Sequence, residues 1–588
     1  MFKLICKQLN KKQWLSMILI VLLVIMQVWL ELEIPDYMSE ITVLIQTEGN
    51  MISEILLAGS KMLVCAITSA ICAIVVGYIV ARVSAGVSKK IRSKLFVKVQ
   101  SFSSSEIKNF STASLITRST NDITQIQFFI VMGLSALIKA PIMALWAIVK
   151  ISGKSYQWSI ATAVAVCILI VAVITIIAMV LPKFRKMQTL TDNINRVTRE
   201  NLTGLRVVRA YNAETYQTEK FEKANTELTN TNLTAHRYMS LLSPLMNAVM
   251  SGLPLAIYWI GAILINSAFT PDKLTIFSDM VVFSSYAIQI VMSFMLLIIV
   301  FIMLPRASVS ARRINEVLNT ESTILNGEGV NVKDSDKGMV EFKDVSFKYQ
   351  DADEYVLKDI NFKCKKGDVI AFIGSTGSGK STLINLIPRF YDATEGEVLV
   401  DNKNVKDYKL KDLRDRIGYV SQRAVLFTGS VLSNITLGSR EDNLESENVK
   451  QAIDISQSSE FVSKMSDGIH SRISQGGKNV SGGQKQRLSI ARAIAKKPEI
   501  LIFDDSFSAL DYKTDKALRQ ALNEEFRDTT ILIVAQRIGT IKDADEIIVL
   551  DEGNVVGKGT HSELLKNCAI YKEIALSQLS EEELKNAR

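Results

Sequence analysis

Val369-Ile370-Ala371-Phe372-Ile373-Gly374-Ser375-Thr376-Gly377-Ser378-Gly379-Lys380-Ser381-Thr382-Leu383-Ile384-Asn385-Leu386-Ile387 is the stretch on which the reading of this chain turns. An apolar run suited to a buried strand leads into Gly374, and a helix-like run follows Thr382. Between them, four free positions separate Gly374 from Gly379-Lys380-Ser381. Glycines let backbone amides close around a phosphate, and the N-terminus of the next helix favours the anion. That strand–loop–helix context is what the phosphate-loop pattern requires. Gly374, Ser375, Thr376, Gly377, Ser378 and Gly379 are the expected cradle for ATP. Lys380 is expected on the β- and γ-phosphates and Ser381 on Mg²⁺, with Thr382 completing the cofactor-binding set.

Downstream, Asp504 closes the apolar strand Glu499-Ile500-Leu501-Ile502-Phe503 and suits an acid on the Mg²⁺ side of a phosphate-loop ATPase. Gln422, in Tyr419-Val420-Ser421-Gln422, is placed to reach the metal or the attacking water. Val480-Ser481-Gly482-Gly483-Gln484 precedes a helix, so it forms a second anion site with nothing local to bind. Upstream, Val340–Phe347 alternates as a half-buried strand and starts the domain near residue 338. The turn formers of 317–337 read as a linker, Glu552-Gly553-Asn554 as a hairpin, and 579–588 as a charged tail.

The N-terminal half has a different texture. A chain of 588 residues is too long for one compact domain. Its first part carries six apolar stretches, at about 13–34, 55–82, 125–148, 156–182, 241–267 and 277–304. Each meets the roughly 20 residues that a bilayer-crossing helix needs. Lys3, Lys7, Lys11 and Lys12 precede the first, whereas the loop from Pro35 to Glu54 holds Asp36, Glu40, Glu48 and Glu54 and no Lys or Arg. Lys89, Lys90, Arg92, Lys94 and Lys98 follow the second stretch, and Arg306, Arg312 and Arg313 the sixth. This bias predicts that both termini are cytoplasmic. It also accounts for the net charge of +8, leaving nothing that calls for nucleic acid. The first apolar run is too long for a cleavable signal peptide. The cysteines, Cys6, Cys65, Cys72, Cys167, Cys364 and Cys568, show no metal-ligand spacing. Polar segments 83–124 and 183–240 keep apolar residues at helical spacing, so the membrane helices are expected to continue into the cytoplasm. Lys139 is the one charge expected deep within a span, as a functional group or a snorkelling one. Ser284, Ser285, Tyr286, Gln289, Met292, Ser293 and Met295 of the sixth stretch either line a pathway or pack between helices.

Together these motifs resemble a half-transporter of the ATP-binding cassette exporter family over essentially the whole chain. The resemblance implies an α-helical membrane domain of six transmembrane helices with long cytoplasmic extensions (1–316). An α/β P-loop ATPase domain with a helical subdomain follows (338–578). In that family two cassettes pair head to tail, each ATP lying between one chain's phosphate loop and the other's Ser-Gly-Gly-Gln segment. Ser481, Gly482, Gly483 and Gln484 would then contact the partner's ATP. Tyr349 resembles the aromatic that stacks on adenine, a plain strand-edge tyrosine being the alternative. Ser508-Ala509-Leu510-Asp511 and Gln475-Gly476-Gly477 resemble segments that communicate between sites and with the partner's transmission loop. Ser114–Asp122 and Gly204–Tyr211 resemble cytoplasmic loop patterns whose short helices dock on the cassettes.

One departure stands out. The family usually places glutamate after the metal-side aspartate and histidine at the switch, whereas this chain has Asp505 and Gln536. Aspartate withdraws the carboxylate by roughly 1.5 Å, one carbon–carbon bond. A displacement of that size costs on the order of 100-fold in rate. An amide also lacks the charge of an imidazolium. The expected catalytic set of Asp505, Gln536 and Gln422 therefore describes a weak site. The partner expected is a second half-transporter that has the usual glutamate and histidine. Alternatives are a slow homodimer, an ATP-gated channel or regulator, and, less in keeping with the fused arrangement, an importer. The resemblance favours amphiphilic drugs or lipids as cargo at the cell membrane.

Overall fold

The computed structural model describes residues 1–46, 52–152, 155–350, 352–437 and 447–578. Glu48 and the tail 579–588 lie outside the described residues. The chain forms two compact units, Met1–Gln100 with Ala113–Thr320, and Ser101–Thr112 with Glu321–Arg588.

The first unit is helical. Among the described residues, six spans are long and apolar enough to cross a membrane: Lys11–Ile45, Ile52–Gln100, Thr112–Ile151, Tyr156–Thr203, Glu214–Ser267 and Lys273–Asn319. Hydrocarbon offers no partner to a backbone amide, so each apolar stretch closes its own hydrogen bonds as a helix. The spans exceed the apolar stretches because polar residues continue the same helix beyond the apolar window. The segment after residue 34, expected as an outer loop, is a case in point. The helix of the first span, Lys11–Gln46, runs through Pro35, and that of the second begins at Ile52. A proline is tolerated there because packed neighbours absorb the missing amide, and Pro35 is buried.

This longer first helix also revises the expectation for Lys139. Glu31 and Glu33 lie well inside the helix, and Lys139 Nζ donates to Glu31 Oε1 at 2.9 Å. Lys150 Nζ donates to Glu33 Oε1 at 3.0 Å and Asp36 Oδ2 at 2.7 Å. Lys139 is thus a paired charge rather than a lone one, as low-dielectric packing requires. Trp158 packs on Phe283 with ring centroids 5.4 Å apart, and the buried Tyr286 hydroxyl donates to Leu32 O at 2.8 Å.

The second unit is built on strands β1 (Val340–Phe347), β2 (Leu357–Cys364), β3 (Val369–Gly374), β4 (Glu395–Val400), β5 (Lys403–Asn404) and β6 (Ile417–Val420). It continues with β7 (Gly429–Ser430), β8 (Arg472–Ile473), β9 (Ile500–Asp504), β10 (Thr530–Val534), β11 (Glu546–Asp551) and β12 (Asn554–Gly559). The main sheet runs β12-β11-β3-β10-β9-β6, and an antiparallel sheet runs β2-β1-β4-β5. Strands β11, β3, β10, β9 and β6 are mutually parallel, and every residue of β9 and β10 is buried. Continuous apolar runs suit strands covered on both faces. Helices Val431–Ile435, Glu447–Ile455, Ser459–Ser463 and Gly482–Ala495 intervene between β6 and β9.

The expected linker is stitched to this unit. Gly327 N donates to Tyr408 O at 2.9 Å, and Asn326 Oδ1 accepts from Leu410 N at 2.9 Å. The short helix Ser104–Phe110 belongs to the same unit. Glu106 accepts from Ser103 N at 2.6 Å and Thr323 N at 3.1 Å.

Candidate ATP site

Parallel register is what gathers the site. Val420 of β6 is level with Phe503 of β9, Val534 of β10 with Asp504, and Val534 with Phe372 of β3. The C-terminal ends of four adjacent strands therefore lie together, where ligands bind in open parallel sheets. Gln422, Asp504 with Asp505, Gln536 and the phosphate loop each leave one of those ends.

The loop keeps its shape through its glycines. Gly377 and Gly379 have φ of +89° and +95°, which a side chain disfavours, and a Cβ at Gly379 would stand 2.7 Å from Leu357. Lys380 Nζ donates to Gly374 O at 2.9 Å, Ser375 O at 2.7 Å and Ser378 Oγ at 3.2 Å. Burial holds its pKa below the usual lysine value, with Asp505 and Asp504 pulling the other way. An anion in this cradle would supply the charge that the carbonyls give only in part. Ser375 Oγ donates to Asp551 Oδ1 at 3.3 Å, and Thr376 sits exposed at the loop tip. Thr382 Oγ1 shares a hydrogen bond of 2.9 Å with the Tyr349 hydroxyl.

Ser381 Oγ donates to Asp504 Oδ1 at 2.8 Å, and the Tyr419 hydroxyl to Oδ2 at 3.3 Å. Burial raises the Asp504 carboxyl above its usual range and Asp505 adds to this, while Ser381, Tyr419 and Lys380 oppose it. A hydroxyl beside a carboxylate is an all-oxygen donor pair that fits Mg²⁺, which takes few protein ligands and keeps waters. Bound there, the ion would neutralise phosphate charge.

Asp505 has φ of +47° and donates its own amide to Val534 O at 3.0 Å. Its Oδ2 accepts twice, from Gln536 Nε2 at 2.9 Å and Gln422 Nε2 at 3.2 Å. Burial raises its pKa, and hydrogen bonds from Gln422 and Ser508 work against the rise. Gln422 thus bonds to Asp505, whereas Ser381 and Asp504 bond to each other.

Ser481–Gln484 stand apart. Ser481 N donates to Gln484 Oε1 at 2.9 Å and Gln484 N to Ser481 Oγ at 3.3 Å, a capping box opening the helix Gly482–Ala495. Among the described residues none of their hydrogen bonds reaches the phosphate loop, and Ser481 and Gly482 are exposed.

Three residues around the site escaped sequence reasoning. Tyr419 was visible beside Gln422, but its reach to Asp504 depends on the β6–β9 pairing. Tyr391 meets Tyr349 edge-on, with centroids 5.4 Å apart. Lys108 Nζ lies over the Tyr349 ring, 5.1 Å from its centroid. No local signal joins residues so distant in sequence.

Residues 357–508 match the family model described as ABC transporter, and residues 17–294 the one described as ABC transporter transmembrane region. An uncharacterized ABC transporter ATP-binding protein of Mycobacterium bovis is 41% identical over 86% of this chain and 86% of its own length. One from Bacillus subtilis is 37% identical over 85% of this chain and 86% of its own length. The ATP-dependent lipid A-core flippase of Aliivibrio fischeri is 30% identical over 85% of this chain and 84% of its own length. The solved structure of a bacterial Atm1-family ABC exporter with ATP bound shares the fold. Its TM-score is 0.77 at 23% identity, covering 97% of this chain and 100% of that one. The ATP-binding module and the transmembrane region therefore lie in one polypeptide, and the chain is a multi-pass membrane protein of the ABC transporter family.

Proposed function

We propose that the chain is the weakly hydrolysing half of a two-chain, ATP-driven exporter of amphiphilic molecules. The observation that carries this reading is the state of Asp505. Its carboxylate is one methylene short of glutamate, and both neighbouring glutamine amides lie on the same oxygen. Two hydrogen bonds on Oδ2 draw the short carboxylate to the glutamines and occupy that oxygen, so it positions a water poorly. Lys380, Ser381 and Asp504 keep what ATP and Mg²⁺ binding need. Gly374–Thr382 would cradle the phosphates and Tyr349 would stack on adenine. Ser481–Gln484, held by a capping box with Ser481 and Gly482 exposed, would complete the hydrolytic site of a second half-transporter with glutamate and histidine at the two substituted positions.

The basic residues at Lys3–Lys12, Lys89–Lys98 and Arg306–Arg313 support an orientation with both termini and the ATP-binding unit in the cytoplasm. The flippase relative supports lipid-like cargo. The test compares ATP turnover of the purified chain alone and with its partner. Low turnover alone and high turnover together is the expected result. Asp505→Asn should leave most of the activity of the pair, whereas Glu→Gln at the partner's equivalent position should remove it. Strong turnover by this chain alone would overturn the two-chain reading.

A further inference from the structure

Within the membrane unit lies a cavity of about 380 Å³ that includes Glu31, Met38, Met62, Met143, Ser285 and Gln289 in its lining. That volume is in the range of small-molecule sites. Glu31 makes its contacts one-sidedly. Lys139 Nζ at 2.9 Å, Gln27 Nε2 at 2.9 Å and Ser69 Oγ at 3.4 Å all donate to Oε1. Among the described residues, none donates to Oε2. A carboxylate has room for more donors on its second oxygen. Lys61, which precedes the lining residue Met62, lies over the Tyr37 ring at 5.9 Å. Gln289 contributes another open acceptor, since its Oε1 is buried without a hydrogen-bond donor. Ser285 uses its hydroxyl proton on Val281 O at 3.3 Å. The cavity thus offers two open acceptors, Glu31 Oε2 and Gln289 Oε1. The three methionines surround them with polarizable, adaptable apolar surface.

We infer that this cavity is a binding site for molecules that carry a protonated amine on an apolar body, with the ammonium donating to Glu31 Oε2. The inference rests on reading the chain as an exporter of amphiphiles and names the chemistry it selects. An ammonium brings positive charge and several N–H donors to the two open acceptors, whereas a neutral hydroxyl of the same shape brings a single O–H and no charge. Lys139 stays on Oε1, so the ligand adds to the pair rather than breaking it.

The test uses the full chain in lipid nanodiscs and reads melting temperature against added dodecylamine or dodecanol. Partition into lipid is common to all variants, so differences between them report the site. Dodecylamine should act at concentrations about 10-fold lower than dodecanol on the wild-type chain. Glu31→Gln should erase that preference. Because this change strands the Lys139 ammonium, the double variant Glu31→Gln, Lys139→Met keeps the test decisive if the single variant fails to fold. Equal action of the two probes on the wild type, or a preference that survives in the double variant, would sink the inference. The readout needs neither ATP nor a partner. Failure of ATP-driven export would therefore leave the ammonium result standing, and export of neutral amphiphiles without ammonium preference would overturn this inference alone.

Discussion

At the scale of single residues, the proposed weak site turns on one methylene and one ring. Asp505 sits at φ +47° with its carboxylate drawn to Gln422 and Gln536. If reach and charge limit hydrolysis, restoring both should release it. Asp505→Glu combined with Gln536→His should raise turnover at this site by about 100-fold, the scale of a 1 Å displacement. Phosphate release from a complex whose partner site is disabled measures it. A gain of only a few-fold would mean that something other than the acid's position limits the step. A long side chain is less at ease than aspartate in a left-handed conformation, at a cost of about 1 kcal/mol. Melting temperature is therefore followed alongside. The residue identities were legible in sequence, because a strand ending in two acids is a local signal. The tether on Oδ2 was not, since it joins the ends of three strands that only the sheet brings together.

At the scale of elements, the short helix Ser104–Phe110 shows how a seven-residue helix is kept. Seven residues cannot sustain a helix alone. Its capping box joins Ser103 and Glu106, and Glu106 also accepts from Thr323 N at 3.1 Å across 217 residues of chain. Burial alone would raise the Glu106 carboxyl, but hydrogen bonds from Ser103 and Thr323 outweigh it and hold the pKa below the usual value. A lowered carboxyl pKa contributes stability that is present above about 4.5, the unfolded value, and is lost as pH falls through the folded one. Glu106→Ala should cost about 1 kcal/mol of local stability at neutral pH. Amide exchange of residues 104–110 should then speed up in the variant at pH 7, with the difference shrinking as the buffer is taken below pH 4. A difference unchanged by acid would show that packing, not the carboxylate, holds the helix. The helical pattern of 83–124 was readable, but the ends of its helices were not. Apolar windows report where hydrocarbon ends, whereas the helices end where caps and tertiary contacts end them. Pro35 is the same lesson in the membrane, as a breaker in sequence becomes an ordinary helical residue once neighbours pack around it. Glu31 and Glu33, nearly hidden at the edge of an apolar window, turned out to hold Lys139 and Lys150.

At the scale of the whole molecule, a two-chain exporter would divide the motifs of one chain between two ATP sites. Six apolar stretches and one phosphate loop were enough to read a membrane unit followed by a nucleotide-binding one, because both signals are local and long. What a single chain cannot reveal locally is which loop serves which ATP. The separation of Ser481–Gln484 from the phosphate loop makes the assignment testable with two substitutions. Gly482 is exposed, and a Cβ there would meet nothing within 4 Å. Gly482→Asp therefore fits the fold, and an acid in the first helical turn is not unfavourable to the helix. The same acid would repel a phosphate arriving at that turn, at a site where anions are otherwise favoured. In the two-chain complex, Gly482→Asp should lower ATP turnover by about 100-fold although this chain's own phosphate loop is untouched. Lys380→Ala, which removes the buried ammonium from that loop, should lower turnover only a few-fold, because a weak site would contribute little of it. Steady-state turnover of the two complexes, with melting temperature as the folding control, separates the cases. The reverse ranking, with Lys380→Ala the more damaging, would mean that this chain hydrolyses ATP at its own loop. Asp505, for all its short reach, would then be a working base.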